Sequence, residues 1–522
     1  MSRRWLITLA VVCGVSAGAL AQNDVPVLDA PPSPKAKKPG VRTDPKAVEP
    51  EEKSEKQEAA EQASRLSRES IAAFRKGEYE QAQALLLEQL KLQPKNFVVF
   101  YNLACCRCLL GDADGGLTYL TKAIENGFCD RRQLESDPSF VPLRGLDAYK
   151  RIIENWGAVL EARRDANLKG AAEQFKKGYT EFMEPSLRLA FRCGFDERAG
   201  ESARKELALI ARWGHEELLE GILDEKLMEN DPWVVVILPH RADYMRWLVS
   251  MYGPEAATGN SMIGGSYEHD SKRLISMDLG STLRHEFFHV LHWRDMTRRG
   301  QMHPIWIMEG LCSLVEDYDL DASGKLKPAA SWRTNTVKRL EKTAKVTPIE
   351  KLAAMKPLQF SGDRPLAHYA EARTFFMYLY ERKKLKAWYK EYTSTYKEDP
   401  TGAKAIETVM GKDFKWINAD FRKWVRELEM VPEQITRGMA SLGMELESGK
   451  AEGPVVVAVD RRRGAPALKV GDVVTSIDHK TVRDLAELVR VLSTYHAGTT
   501  VTVGYRRGKV YGEEVVELVA KE

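Results

Sequence analysis

A short segment in the middle of the chain, His285-Glu286-Phe287-Phe288-His289, carries residue types that bind metals and move protons. Residues four positions apart share one face of a helix, so both imidazoles can contact a single metal ion. Glu286 lies beside them, where its carboxylate can take a proton from a water molecule at the metal. Because the chain has only ten histidines, this spacing favours a metal site. A pair of structural histidines in a core helix is the other interpretation.

Glu309, twenty residues after His289, is the candidate third ligand. A catalytic zinc site has three protein ligands and one open position for water. The glutamate belongs to Trp306-Ile307-Met308-Glu309-Gly310, and this pattern resembles the gluzincins, the thermolysin-like and aminopeptidase-like metallopeptidases. The resemblance implies a second helix that brings Glu309 to one zinc ion. It also implies that Glu316 orients a ligand, with a solvated surface acid as the alternative.

Asp295 is the competing third ligand, because it lies six residues after His289, where metzincins place theirs. Metzincins break this helix with a glycine three residues after the second histidine, and this chain has His292 at that position. Without the break, Asp295 stays on the helix and cannot turn back to the metal. Glu309 is therefore favoured, and His292 and His303 are interpreted as bystanders.

The same resemblance implies two further parts of a cleft. Gluzincins add a transition-state hydrogen-bond donor from a later helix, and the candidates here are Tyr369 or, alternatively, His368; both also have an interpretation as packing residues. The alternating segment 273–278 is expected to be the edge strand that lines the cleft and pairs with an extended peptide. Gly264 and Gly265 are expected in the loop before that strand.

The first 63 residues are predicted to lie outside the folded domains. Arg3 and Arg4 precede a mostly apolar stretch, and Ala19-Leu20-Ala21 is a small-x-small cleavage site. Residues 1–21 are therefore predicted to be a signal peptide, and the protein is expected to be exported to the periplasm or secreted. Residues 22–63 are rich in proline and charge and predict a disordered linker. No later segment is apolar enough to predict a membrane span.

Residues 64–155 are predicted to form helical repeats. Gly77-Glu78-Tyr79 and Gly111-Asp112-Ala113 begin 34 residues apart, and a helix–turn–helix unit of this period resembles the tetratricopeptide repeat. Each helix pair leaves one face uncovered, and stacking the pairs buries that face. Two unrelated amphipathic hairpins are the alternative.

Residues 156–435 are predicted to be the metallopeptidase domain, with a small sheet among helices. The pattern predicts helices over 156–230, and the β-branched run 233–238 is typical of a buried strand. A long helix is expected from about Thr282, and residues 331–430 are expected to be mostly helical.

Residues 436–522 resemble a PDZ domain of the bacterial protease-associated kind. Short β-like runs surround one helix predicted at 482–492, and the matching residues are 442–446 and 464–478. The resemblance implies strand addition by a peptide, whose carboxylate is held by the loop of Leu442, Gly443, Met444, Glu445 and Leu446. The fold class predicted for the chain is multidomain α+β, with helical repeats, a thermolysin/aminopeptidase-like zincin domain and a β-barrel-like PDZ domain.

Composition limits the classes of partner. The 78 basic and 75 acidic residues leave a net charge of +3, which gives no electrostatic reason to expect nucleic acid. Six cysteines follow the predicted cleavage site, and their spacing is not that of a disulfide scaffold. They are interpreted as apolar filler in helices. A metal site at Cys105 and Cys108, or a disulfide through Cys129, stays open.

Together these features predict an exported zinc peptidase that hydrolyses a peptide or protein substrate, with Glu286 as general base. No exopeptidase-type amine-anchoring motif precedes the histidine helix, which favours an endopeptidase. The repeats and the PDZ-like domain are predicted to bind extended peptides or protein C-termini. Two alternatives stay open: an exported scaffold without activity, and a hydrolase of non-peptide amides.

Overall fold

The structure is a computed structural model. It describes residues 55–224, 232–252, 264–268, 271–362, 364–448, 452–459 and 468–522. The chain divides into two compact units, one ending at Glu154 and the other beginning at Asn155. The predicted signal peptide, its cleavage site and the linker up to residue 54 lie outside the described residues. None of the described helices is both long and apolar enough to cross a bilayer.

The described part of the first unit is helical. Its helices are α1 (Glu55–Lys76), α2 (Tyr79–Leu92), α3 (Phe97–Leu109), α4 (Ala113–Glu125), α5 (Arg131–Ser136) and α6 (Asp147–Glu154). Helices α1 and α2 form one hairpin, α3 and α4 form a second, and α2 packs against α3. Gly77 and Gly111 turn the chain with φ of 85° and 87°, a conformation that glycine adopts without a steric cost. The 34-residue spacing therefore marks two equivalent turns.

Two predictions from the sequence, the end of the linker and the role of the cysteines, can be compared with the structure. Helix α1 begins at Glu55, before the predicted linker end at residue 63, because its alanine, glutamate, lysine and glutamine residues favour a helix. The six cysteines of the described residues are all buried. Four lie in helices, as predicted, while Cys129 follows α4 and Cys193 ends a strand. Cys105 and Cys108 belong to no metal-binding group among the described residues.

A mixed five-stranded sheet lies in the second unit, with strand order β1-β2-β3-β5-β4. The strands are β1 (Thr180–Glu184), β2 (Leu189–Cys193), β3 (Trp233–Ile237), β4 (Gly265–Glu268) and β5 (Arg273–Ser276). Strands β2, β3 and β5 run parallel, while β1 and β4 are antiparallel to their neighbours. Parallel strands are covered on both faces, and β2 and β3 are buried at every residue.

The sheet corrects three expectations. Strands β1 and β2 lie where the sequence predicted only helix. Strand β2 is buried at every residue, so it shows no period-two alternation, whereas β1 is a mostly exposed strand at the end of the sheet. Segment 273–276 is an internal strand, and the edge strand next to it is β4. Gly265 is the first residue of β4 and not part of a preceding loop.

Helices surround this sheet and form the rest of the domain. They are α7 (Trp156–Gln174), α8 (Glu197–Glu217), α9 (Arg241–Tyr252), α10 (Ser281–Arg299), α11 (Ile305–Cys312), α12 (Trp332–Lys342), α13 (Ile349–Ala353), α14 (Pro357–Phe360), α15 (Pro365–Glu381), α16 (Leu385–Thr395), α17 (Ala403–Met410) and α18 (Phe414–Glu427). A small hairpin of β6 (Tyr318–Leu320) and β7 (Leu326–Pro328) follows α11. Helix α10 contacts α8, α11, β4 and β5, so it lies between the sheet and the later helices.

The C-terminal residues of the second unit form another sheet, of order β14-β13-β11-β10-β9 with β12 beside β11. The elements of this region are β8 (Ala440–Ser441), β9 (Met444–Glu447), β10 (Val455–Val459), β11 (Val473–Ile477), β12 (Lys480–Thr481), α19 (Leu485–Leu492), β13 (Thr500–Arg507), β14 (Val510–Glu517) and β15 (Val519–Ala520). Strands β8 and β15 pair with each other in a separate two-stranded sheet. Met444, Glu445 and Leu446 lie in edge strand β9 rather than in the predicted loop, because they pair with β10. Leu442 and Gly443 remain in a turn, where Gly443 has φ 71°.

Gly310 sets how closely helix α11 can approach α15. A Cβ at this position would lie 2.6 Å from Cδ2 of Phe376 and 3.1 Å from the carbonyl carbon of Ala372. We expect Gly310→Ala to lower the free energy of unfolding by about 1–3 kcal/mol through overpacking, measured by urea denaturation. The matched control is Gly170→Ala in α7, where nothing lies within 4 Å of the added Cβ; it is expected to gain up to about 1 kcal/mol. Equal stability of G310A and the wild type would contradict this packing argument.

Asp484, the N-cap of α19, makes stability depend on pH. Burial, together with the charges of Glu487 and Asp278, raises the pKa of Asp484 from 3.8 to about 7. Between these values the folded protein binds more protons than the unfolded chain, so its free energy of unfolding falls as pH rises from about 4 to about 7. Asp484→Asn keeps a capping side chain but cannot ionise, and should lose this part of the pH dependence.

Urea denaturation at several pH values between about 4.5 and about 7.5 measures the effect as the stability difference between D484N and the wild type. Asp413→Asn, at the exposed N-cap of α18, controls for replacing a capping carboxylate. A stability difference for D484N that stays constant across these pH values would show that Asp484 ionises normally.

Candidate metal centre

Helix α10 places two imidazoles side by side. Nε2 of His285 lies 3.1 Å from Nε2 of His289, as expected for residues one turn apart on the same face. Phe287 and Phe288 are fully buried on other faces of the helix, which prevents the helix from rotating. The ring of Tyr267, from edge strand β4, stacks on His289 at 4.4 Å and 9°. Both histidines are thus held by packing on a rigid element.

Glu309, on α11, completes a triangle of ligand atoms. Its Oε2 lies 3.3 Å from Nε2 of His285 and 3.6 Å from Nε2 of His289. A tetrahedral ion with bonds of about 2.0–2.1 Å has ligand pairs about 3.3 Å apart. The two nitrogens and one oxygen therefore fit a zinc-sized ion and leave a fourth position open. No other group of three metal-binding side chains occurs in the part of the chain that the structure describes.

The charges around the imidazoles favour a cation. Burial lowers the pKa of His285, but the carboxylates of Glu309 and Glu316 outweigh it and raise the value to about 10. Burial acts to raise the pKa of Glu309, while His289 and His285 hold it well below its ordinary range. Glu309 is therefore ionised at neutral pH, and its negative charge is directed at the space between the two rings.

Glu316 follows a short 3₁₀ turn, 313–315, at the end of α11. Its Oε1 lies 2.8 Å from Nδ1 of His285, on the side of the ring away from Glu309. Arg333, on α12, donates to both carboxylate oxygens at 2.6 and 2.7 Å. Since Glu316 is buried, the alternative of a solvated surface acid does not hold. A carboxylate fixed in this way can set the orientation of the ring it contacts.

Glu286 lies beside the ligand group, close to strand β4. A Cβ on Gly265 would lie 2.6 Å from Cγ of Glu286, so only a glycine lets the edge strand approach this carboxylate. Burial raises the pKa of Glu286, and the charges of Glu309 and Glu316 add to that effect. A carboxylate with a raised pKa is a better proton acceptor, as a general base requires.

The competing ligand and the two bystander histidines lie in a separate network. Helix α10 continues through Asp295, whose Oδ2 accepts from Arg299 at 2.7 Å and from the hydroxyl of Tyr389 at 2.7 Å. Nε2 of His292 lies 2.8 Å from Nδ1 of His303. None of these side chains belongs to the group formed by the two α10 histidines and the α11 glutamate.

His368 and Tyr369, at the start of α15, are held by packing around Phe360. Nδ1 of His368 lies 2.8 Å from the carbonyl oxygen of Phe360, and the ring of Tyr369 lies 5.1 Å from that of Phe360. These contacts match the packing interpretation of both residues. A part in transition-state stabilisation stays a prediction for each of them.

Sequence reasoning missed Tyr267 and the contact of Gly265 with Glu286. The Gly264-Gly265 pair is a visible signal, but it indicates a turn rather than a close approach of the strand backbone to the side chain of Glu286. Nothing in the sequence marks Tyr267, because its contact with His289 depends on how β4 lies against α10.

Comparison with known proteins identifies one part of the chain. The family model for the PDZ domain matches residues 440–518. A chloroplast protein of Arabidopsis thaliana is 28% identical over 92 residues, which make up 17% of this chain and 28% of that protein's length. An aminopeptidase N family protein from Idiomarina loihiensis aligns over 66% of this chain and 67% of its own, with 15% identity and a TM-score of 0.26, too low to support an argument. The predicted PDZ domain is confirmed, and the C-terminal part of the chain is a PDZ domain.

Proposed function

We propose that the second unit is a zinc-dependent peptidase in which His285, His289 and Glu309 bind the metal and Glu286 is the general base. The observation that carries this proposal is the triangle of two imidazole nitrogens and one carboxylate oxygen, with sides of 3.1, 3.3 and 3.6 Å. Three protein ligands with an open fourth position are typical of catalytic rather than structural zinc. The proposal includes export, supported by the signal-like pattern of residues 1–21.

The residues around the site have distinct parts in amide hydrolysis. Zinc supplies a Lewis acid for the scissile carbonyl and lowers the pKa of water at its open position. Glu286 accepts a proton from the attacking water and passes it to the leaving amine. Glu316 holds Nδ1 of His285, so that Nε2 points at the metal position. His368 or Tyr369 is the proposed donor to the oxyanion.

Edge strand β4 supports a peptide as the substrate. It pairs with β5 on one side, is the last strand of the sheet among the described residues, and contacts the helix that carries the proposed ligands. The free backbone groups of an edge strand can pair with an extended peptide. A peptide bound along β4 would bring an internal amide near Glu286, which supports endopeptidase action.

The PDZ domain favours a second candidate function, a peptide-binding scaffold without activity. Strand β9 is the edge of the PDZ sheet, and the turn of Leu442 and Gly443 leads into it. An extended peptide or a protein C-terminus can add to such an edge. In the peptidase proposal this domain and the helical hairpins of the first unit bind substrate proteins; in the scaffold alternative they perform the whole function.

Replacing Glu286 by glutamine tests the general base. We expect E286Q to bind one zinc ion like the wild type and to lose about 10²–10⁴-fold in hydrolysis rate, because the amide cannot accept the proton. Cleavage of fluorescein-labelled casein, with mass spectrometry of the products, measures the rate. Glu398→Gln, at an exposed position, should retain full activity. If E286Q cleaves as fast as E398Q, Glu286 is not the base.

Replacing Glu309 by glutamine tests the ligand set. We expect the zinc dissociation constant to rise more than about 100-fold, beyond the roughly 10–100-fold that outer partners contribute. Competition with a chromophoric chelator measures the affinity. Asp295→Asn, the competing carboxylate on α10, should leave the affinity unchanged once circular dichroism shows that the variant is folded. A loss of zinc in D295N but not in E309Q would assign the third ligand to Asp295.

A further inference from the structure

A buried ionic contact joins the PDZ domain to the helix that carries both histidines. Arg284 precedes His285 on α10, and its side chain is 2% exposed. Its Nη1 lies 2.9 Å from Glu206 on α8, and its Nη2 lies 2.5 Å from Glu487 on PDZ helix α19. A buried guanidinium needs acidic partners, and one of the two partners of Arg284 comes from the PDZ domain.

The contact continues to the proposed ligand. Nη2 of Arg284 donates to the backbone oxygen of Glu316 at 2.6 Å. The side chain of Glu316 lies 2.8 Å from Nδ1 of His285. Glu487 is therefore connected to His285 in two ways, both through Arg284. Arg284 is the neighbour of His285 along α10, and it also contacts Glu316, whose carboxylate contacts the ring of His285.

Glu487 is itself held in place. Its Oε2 accepts from the backbone N–H of Arg483 at 2.8 Å, and its own N–H donates to the N-cap Asp484 at 2.8 Å. A fixed carboxylate can orient a guanidinium more narrowly than a mobile one.

A second contact with the PDZ domain lies at the start of helix α10. A Cβ on Gly280, the N-cap of α10, would lie 3.0 Å from Cβ of Arg483. Arg483 also donates to the hydroxyl of Ser202 on α8 at 2.8 Å. The first turn of α10 is thus enclosed by residues of the PDZ domain as well as by its own domain.

We propose that Glu487 of the PDZ domain is a positioning residue for the metal centre, acting through Arg284 to hold the first turns of α10 and the orientation of His285. The consequence for zinc rests on the proposed function. The PDZ domain is then a part of the support of the metal centre, not only a module that binds peptides. Removing the charge of Glu487 leaves Arg284 with one acidic partner in a buried site, which strongly disfavours the present arrangement.

The test compares Glu487→Gln with Tyr511→Phe. Tyr511 donates to Asp196 at 2.7–2.8 Å, so Y511F removes another contact between the PDZ domain and the rest of the unit, away from α10. We expect E487Q to raise the zinc dissociation constant about 10-fold, at the low end for outer partners of a ligand. It should also shift the visible spectrum of the cobalt-substituted protein. Glu487→Asp keeps the negative charge, so its zinc dissociation constant and its cobalt spectrum should lie between those of E487Q and the wild type. Y511F should change neither of these two properties.

Hydrogen exchange of residues 283–291 in the metal-free protein gives a readout that does not depend on zinc. Exchange should be faster in E487Q than in the wild type and unchanged in Y511F. If E487Q does not fold, E487D takes its place in both comparisons, with smaller changes in the same direction.

The outcomes separate this inference from the proposed function. A wild type that binds zinc, together with an E487Q that has equal affinity and equal exchange, overturns the inference and leaves the peptidase proposal standing. Equal losses in E487Q and Y511F also overturn it, because they would show only a looser contact between domains. A wild type that binds no zinc overturns the peptidase proposal, and the exchange comparison then decides whether Glu487 holds α10.

Discussion

The structure depends on one constraint: several charged and polar side chains of helix α10 are buried, and each of them needs a partner. Arg284, His285 and His289 lie on α10 in an interior that gives them little water, so each needs a partner of suitable charge. Those partners come from three other elements: α8, α11 with the turn after it, and the PDZ helix α19. Arg333 on α12 in turn pairs with Glu316. Because the partners belong to distant parts of the sequence, satisfying them requires the whole second unit to close around α10.

Close backbone approach is the second requirement of the site. Gly265 lets strand β4 contact Glu286, and Gly310 lets α11 contact α15. Both glycines are next to, or in contact with, residues of the proposed mechanism. Glycine at such positions serves packing rather than flexibility, and it brings the edge strand and the ligand helix within reach of the same space.

The PDZ domain illustrates how a binding module can also be a structural one. Its sheet and core are those expected of the domain, and β9 is the end strand of the sheet within the part of the chain that the structure describes. Glu487 on the helix beside that sheet, and Arg483 just before this helix, nevertheless make contacts outside the domain. If a PDZ domain were only tethered, these two charged residues would be solvated. Their burial against α8 and α10 is what distinguishes the arrangement in this chain.

Local sequence determined the parts of this protein that depend on near neighbours. The four-residue spacing of His285 and His289, the 34-residue spacing of the helical hairpins, and the strand and helix pattern of the PDZ domain all follow from periodicity and turn residues. Tertiary structure alone decided which strand forms the edge, where Tyr267 stacks, and that Arg284 is shared between Glu206 and Glu487. Strand β2 was missed because burial on both faces removes the alternation, and β1 was missed because it is a short, mostly exposed strand whose place depends on pairing with β2. Arg284 lies 78 positions from Glu206 and 203 positions from Glu487. Such contacts produce no periodic pattern in the sequence, because they form only when separate elements pack.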